Sequence, residues 1–458
     1  MSIPTIVSNI TIPLLGICDT AISGHLGSEL FLSSIAVGTV MLNVVFWIFG
    51  FLRGGTTGLT ANALGEGSWA EIAGVLYRSL LIAVIAGGLM ICLQTPVFNF
   101  LWRVAGSGDD IIGYVEYYFD IRVWGSPALL STIAISGWFV GMQNTVYPMA
   151  IAIIQNIINI GASCFLVYGL DMGFSGVALG TLISNWLGLG ISVFCIFLFL
   201  KGKNLSIRKF FGYLQTPAKT HGISPHSVSK ENTKTRSWSR YFAVNGNLFL
   251  RSLFIIFVTM GITAAGGRIS YLTLAVNAIV MQFFQFFSFF MDGFAFSGEA
   301  MVGLNAGEKN YALLSKVVNM LLIFTLVTGL VFSGIYFIGA LPIASLLTDS
   351  IPVLDNIERL KLWIALIPIV SCWAFIYDGF YIGITDTHRM MYSSLVGALI
   401  FFIIISLNFI YSDNLTDLAK NQIIWTAFIT YLLSRGIYLI LFWSHSLRRL
   451  TKSPILSA

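Results

Sequence analysis

Gly141-Met-Gln-Asn144-Thr145-Val-Tyr-Pro148 and Gly383-Ile-Thr-Asp386-Thr387-His-Arg-Met390 each close a long apolar run, and they lie 242 residues apart. The same offset pairs Gly65-Glu66 with Gly307-Glu308, again at the ends of apolar runs. Two matches at one offset point to a duplicated unit. Around them the 458-residue chain is 57% apolar and 10% charged, with mean hydropathy +0.85. A soluble domain carries about 25% charged residues. The chain therefore reads as a polytopic membrane protein.

About 20 apolar residues span a bilayer as a helix. That rule predicts twelve spans, near 3–24, 32–62, 74–101, 112–142, 146–169, 174–200, 240–264, 270–302, 312–345, 353–384, 390–411 and 420–444. No basic region precedes the first and no Ala-x-Ala-like site follows it, so it reads as a retained span rather than a signal peptide. The segment after span six is rich in Ser, Thr, Lys and Arg, with Glu231 its one acid, and the C-terminal end adds Arg448, Arg449 and Lys452. Loops of the other parity carry Asp109-Asp110, Asp349 and Asp413. The positive-inside rule then puts both termini and the middle loop in the cytoplasm. The expected organisation is an N-lobe over 1–202, a linker over 203–238, a C-lobe over 239–445 and a tail over 446–458. The fold class is all-α: twelve transmembrane helices in two six-helix lobes related by a parallel internal repeat. Repeats of this kind bind substrate at their interface and alternate access by rocking.

Charged and polar residues inside the spans are the candidate functional groups, because a carboxylate or guanidinium at membrane depth costs at least roughly 2.5–3.5 kcal/mol. Asp19 stands alone in Pro13-Leu-Leu-Gly-Ile-Cys-Asp19-Thr20-Ala-Ile-Ser-Gly24, the first charge of the chain. Desolvated carboxyls hold protons more tightly, which suits a proton carrier. Arg251, Asp292, Glu299 and Asp378 lie in the C-lobe spans, and an arginine among three acids suggests an ion-pair network, Arg251 with Asp378 or Asp292. The rival reading is a second coupling site. Gln282, Gln285, Asn43 and Asn156 are candidates for a substrate cavity, their ordinary alternative being helix-to-helix hydrogen bonds. Five cysteines and five histidines are scattered without metal-ligand spacing, so no metal is expected.

Four motifs in order resemble the multidrug and toxic compound extrusion (MATE) family, and its DinF-type members in particular. They are Ile10-Thr-Ile-Pro13-Leu-Leu-Gly-Ile-Cys-Asp19-Thr20-Ala-Ile-Ser-Gly24-His25-Leu-Gly27, Asn245-Gly-Asn247-Leu-Phe-Leu-Arg251, Asp292-Gly-Phe-Ala-Phe-Ser-Gly-Glu299-Ala and Phe375-Ile-Tyr-Asp378-Gly379-Phe-Tyr-Ile-Gly383. The resemblance implies two six-helix lobes arranged as a V, exporting drugs or metabolites against a proton or sodium gradient. It maps the cation-coupling acid onto Asp19 and its polar partners onto Asn159 and Thr181. It maps a tyrosine of span four onto Tyr118, with Tyr114 and Tyr117 as alternative registers. Some relatives carry a second acid one turn after the asparagine, where this chain has Ser163. Hard cations favour charged oxygen ligands, so that loss favours a proton over sodium as coupling ion.

The expected function is proton-coupled antiport of drugs, organic cations or metabolites. Sodium-coupled antiport and a lipid-linked oligosaccharide flippase are the alternatives. A flippase would want several basic residues around a pyrophosphate, and Arg53, Arg122 and Arg251 are few and dispersed. Enzyme signatures such as His-Glu-x-x-His and Gly-x-Ser-x-Gly are absent, so no enzyme is expected. The expected partners are a small organic substrate and membrane lipids, without nucleic acid or cofactor, for a monomer in the inner (plasma) membrane.

Overall fold

Hydrocarbon offers no partner to a backbone N–H or C=O, so an apolar run in it must satisfy its own backbone as a helix. The computed structural model describes residues 1–11, 22, 29–105, 109–213, 238–411 and 415–452, and among them there is no strand. The helices run in the order α1 (2–11), α2 (Glu29–Ile48), α3 (Phe51–Gly65), α4 (Trp69–Cys92), α5 (Gln94–Ala105), α6 (Ile112–Val123), α7 (Ser126–Gly141), α8 (Val146–Cys164), α9 (Phe174–Gly202) and the short α10 (Ile207–Gly212). They continue as α11 (Trp238–Ile269), α12 (Tyr271–Gly307), α13 (Tyr311–Ser345), α14 (Ile351–Gly383), α15 (Thr387–Tyr411) and α16 (Asp417–Lys452). By length and composition ten described stretches can cross a membrane, α2 and α3 counting as one. An eleventh is the pair α6 and α7, bent by 52°. Pro127, in the first turn of α7, has no N–H to continue the ladder there. Most of the remaining predicted span, 12–21 and 23–24, lies outside the described residues.

The duplication read from sequence recurs in backbone detail. At 242 residues apart, Gly67 and Lys309 both have positive φ (68° and 59°), as do Gln143 and Thr385 (62° and 58°). The Ser68 hydroxyl accepts from the Glu71 amide at the start of α4, and Asn310 Oδ1 accepts from the Leu313 amide at the start of α13. After the second helix of each pair, the Asn144 amide donates to Phe139 O and the Asp386 amide to Tyr381 O. Even helix contacts repeat: a Cβ added at Gly137 would lie 2.4 Å from Arg53 O, and one at Gly379 would lie 2.4 Å from Ala295 O. These glycines let α7 cross α3 and α14 cross α12 backbone to backbone, as small residues do in membrane helix pairs. Gly137→Ala and Gly379→Ala are each expected to cost about 1–3 kcal/mol by overpacking. Gly88 in α4 has open space around it and serves as the control. Thermal unfolding in detergent checks this: a Gly379→Ala protein as stable as Gly88→Ala would remove the close-approach argument.

Contacts divide the chain into two compact units, Met1–Asn245 and Gly246–Ala458. The division falls inside α11, whose first two turns belong to the first unit. There the Tyr241 hydroxyl lies 2.8 Å from Ser79 Oγ, which lies 2.7 Å from Thr56 Oγ1, all three residues buried. Hydroxyls away from water need such partners, and one hydrogen bond of this kind contributes about 0.5–1.5 kcal/mol. Tyr241→Phe should lower stability by that amount, whereas Phe242→Tyr, at an exposed position, should change little. No loss in a thermal melt of Tyr241→Phe would show the hydroxyl chain to be energetically idle. Within the second unit, α14 is the central element, packed against α12, α13 and α16. Its buried face joins Ile357, Ile364 and Cys372 to Phe287, Tyr336 and Trp425. Opposite faces, such as Ile323, Val327, Leu330 and Ile338 on α13, are apolar and exposed, as a lipid-facing surface requires.

Candidate coupling and charge-network sites

The first unit gathers polar side chains between α8 and α9. Asn159 is fully buried, and its Nδ2 donates to Thr181 Oγ1 at 3.0 Å and to Ser184 Oγ at 3.4 Å. Both hydroxyls spend their own protons on backbone carbonyls, Thr181 on Val177 O and Ser184 on Thr181 O. Each can therefore only accept from Asn159, which fixes the orientation of the amide. Asn159 Oδ1 is left buried with no hydrogen bond among the described residues, and so is Ser163 Oγ one turn further on. Gly180 makes room for Ser163: a Cβ there would stand 2.2 Å from Ser163 Oγ. One turn earlier on α8, Gln155 Nε2 donates to Asn185 Oδ1 at 3.0 Å.

Asp19, with Thr20, lies outside the described residues. Chain on either side of that segment touches α8 and its continuation: Asn156 Nδ2 donates to Thr11 O at 3.0 Å, and the Tyr168 hydroxyl to Ile22 O at 3.5 Å. Asn156 thus holds a backbone carbonyl. Tyr118 is buried on α6, away from Asn159 and Thr181 in its bonding. Its hydroxyl meets Thr39 Oγ1 at 3.1 Å and accepts from Arg122, whose guanidinium also sits 5.3 Å from the ring centre. Arg122 is accordingly a partner of Tyr118 that sequence reading did not assign. Asn43 is exposed on α2.

In the second unit one carboxylate holds two arginines. Asp378 on α14 accepts at Oδ2 from Arg251 of α11 and, at 2.6 Å, from Arg435 of α16. Arg435 also donates to the Tyr431 hydroxyl at 3.2 Å. The carboxylate and Arg435 are almost wholly buried, whereas the Arg251 side chain is 20% exposed. Two positive charges on one negative leave the group net positive, and Asp378 Oδ1 has no hydrogen bond among the described residues. Asp292 and Glu299 lie on α12, partly and fully buried respectively, each with interactions of its own. Gln282 is exposed and Gln285 half-buried on the same helix. Arg435 went unassigned in the sequence reading although its signal was there: it is the one basic residue of the apolar run 421–444.

A sequence model of the MatE family matches the chain twice, over residues 4–165 and 248–410. DNA damage-inducible protein F of Escherichia coli (strain K12) is 31% identical over 444 residues, 97% of this chain and 90% of that protein. A probable multidrug resistance protein NorM of Thermotoga maritima is 25% identical over 218 residues, 46% of this chain and 45% of its own length. Among solved structures, the bent form of the Vibrio cholerae MATE transporter VcmN aligns with TM-score 0.78 at 14% identity, covering 98% of this chain and 96% of that one. A MOP superfamily transporter from Pyrococcus furiosus aligns with TM-score 0.80 at 16% identity, covering 99% and 96%. At those identities the structures speak for the fold, while the twofold family match and the near full-length relative speak for descent. The chain belongs to the MatE family, the multidrug and toxic compound extrusion transporters.

Proposed function

We propose that this protein is a proton-coupled efflux antiporter of organic cations or similar small compounds, with Asp19 as the proton carrier. The observation that carries the coupling reading is Asn159. Its amide is oriented so that only an acceptor oxygen remains, and a buried acceptor calls for a donor. A protonated carboxyl supplies one and a bare carboxylate does not. A sodium ion could also meet that oxygen, but it would want further anionic oxygens, and the next turn offers only the Ser163 hydroxyl. The Thr11 and Ile22 contacts flank the segment that contains Asp19, which makes that acid the natural partner. Ser163 adds a hydroxyl where a second acid would have strengthened a sodium site.

In this scheme substrate enters from the cytoplasm or inner leaflet while Asp19 is ionised. Proton uptake from the outer side lets Asp19 donate to Asn159, repacks the first span and favours release of substrate. Return to the inward-facing form frees the proton. Exchange of one proton for one monovalent cation moves no net charge, so each pH unit supplies about 1.4 kcal/mol. The Lys and Arg distribution supports cytoplasmic termini in an inner membrane. A flippase for a pyrophosphate-linked lipid is disfavoured because Arg251 and Arg435 are engaged by Asp378, and Arg122 by Tyr118. The test is transport of a fluorescent organic cation in proteoliposomes, driven separately by a pH gradient and by a sodium gradient. Movement under the pH gradient alone is expected; movement under sodium alone overturns the proton assignment.

A further inference from the structure

Where α9 ends and α10 begins, the first unit presents four cations that the coupling scheme does not use. Lys201, Lys203, Arg208 and Lys209 fall within nine residues, and the sequence has no acid between Asp171 and Glu231. All four are exposed, and none makes an ion pair or a side-chain hydrogen bond with a described residue. They stand on a fixed platform. The Leu205 amide donates to Leu200 O across the turn that ends α9, and Ser206 Oγ accepts from the Lys209 amide at the start of α10. Phe210 is fully buried, its ring edge-on to Trp69 at 6.5 Å and to Trp138 at 6.1 Å between ring centres. Trp138 also meets Phe199 of α9 at 5.6 Å. The chain thus folds back on the end of α9, and one buried ring seats α10 there. Ile207, beside Arg208, is exposed.

The positive-inside rule accounts for cations on one side of a membrane, and Lys201 suits the negative end of α9. Neither accounts for four of them collected on one seated turn, where like charges repel. The acid of the adjoining first turn of α4, Glu71, is already bound by Arg78 at 3.1 Å. The platform lacks countercharge, and the bilayer surface at the end of a spanning helix offers it as lipid phosphate. Four or more Lys and Arg immediately beyond a span form the pattern that attracts anionic headgroups. An exposed apolar side chain among them, here Ile207, adds contact with the acyl boundary.

We propose that Lys201, Lys203, Arg208 and Lys209 form a headgroup site for anionic phospholipids where α9 leaves the membrane. The site does not depend on the efflux reading and is tested by binding alone. Full-length protein in detergent is titrated with phosphatidylglycerol and, separately, with phosphatidylcholine, and bound lipid is counted by native mass spectrometry. Wild type is expected to bind phosphatidylglycerol about tenfold or more tightly, with the preference falling as salt is raised. Lys201→Gln, Lys203→Gln, Arg208→Gln and Lys209→Gln together should remove the preference. Arginine at the three lysine positions should keep it, and so should Arg448→Gln with Arg449→Gln, which lowers the net charge elsewhere. No preference in wild type, a preference that survives the four glutamines, or an equal loss in the Arg448 and Arg449 variant would each overturn the proposal. Displacement of the bound lipid by an equal concentration of inorganic phosphate would overturn it too, by making this a site for small soluble anions.

Discussion

Asp378→Ala is expected to be the most destabilising single change in the second unit, at about 3–5 kcal/mol. The substitution takes from the Arg251 and Arg435 guanidiniums the carboxylate they share, and Arg435 has almost no access to water. The arginines are not equivalent. Arg251→Gln leaves Asp378 and Arg435 as a neutral pair, and it removes the more exposed of the two cations, so its cost should be much smaller. Arg435→Gln strips the buried Tyr431 hydroxyl of a donor as well and should fall between. Thermal or denaturant unfolding of the purified protein orders the three. If Arg251→Gln is as damaging as Asp378→Ala, the two arginines do not share one carboxylate as described. The rival role has its own signature: Asp378→Asn protein that melts like wild type but has lost gradient-driven transport would make this network a coupling site.

Asp19→Asn should abolish pH-driven export while leaving the protein folded and able to bind substrate. Asparagine is close in size to protonated aspartic acid and can donate to Asn159 Oδ1, so the variant mimics one protonation state permanently. It can neither take up nor release a proton, and the cycle stalls. Asn159→Leu tests the other partner. In the proposed scheme, removing the oriented acceptor deprives the protonated acid of its hydrogen bond, and it takes one donor from the Thr181 and Ser184 hydroxyls, so coupling should weaken together with a loss of about 0.5–1.5 kcal/mol in stability. Uptake into proteoliposomes at fixed pH gradient is the measurement. Wild-type rates in Asp19→Asn would end its assignment as proton carrier.

Much of the architecture is legible in one dimension. Hydropathy accumulates along a run of residues, so spans such as 146–169 and 174–200 match helical stretches Val146–Gly169 and Phe174–Gly202 closely. The repeat is legible because helix ends are local: Gly141 with Asn144 and Gly383 with Asp386 sit at turns whose positive φ and amide bonds depend on a few neighbouring residues. Pro127 is visible in the sequence, but the 52° size of the bend beside it needed the structure, since proline loosens a helix by different amounts in different packing. The intramembrane charges were also visible as anomalies, Arg435 included, because their cost depends only on depth.

What no linear reading could supply is which anomaly meets which. Arg251, Asp378 and Arg435 are separated by 127 and 57 residues, and their meeting depends on how α11, α14 and α16 are rotated about their axes. The same holds for Tyr118, whose hydroxyl meets Thr39 and Arg122. It holds for Asn159, whose free oxygen follows from the hydroxyl bonds of its neighbours. Helix rotation is set by close packing across elements, through contacts such as Gly137 on Arg53 and Gly379 on Ala295, and those energies are absent from any single segment. The sequence alone therefore determined that this chain is a duplicated helical membrane protein with a few costly polar groups. The tertiary structure decided how those groups are satisfied, because only packing brings distant helices to within a hydrogen bond of each other.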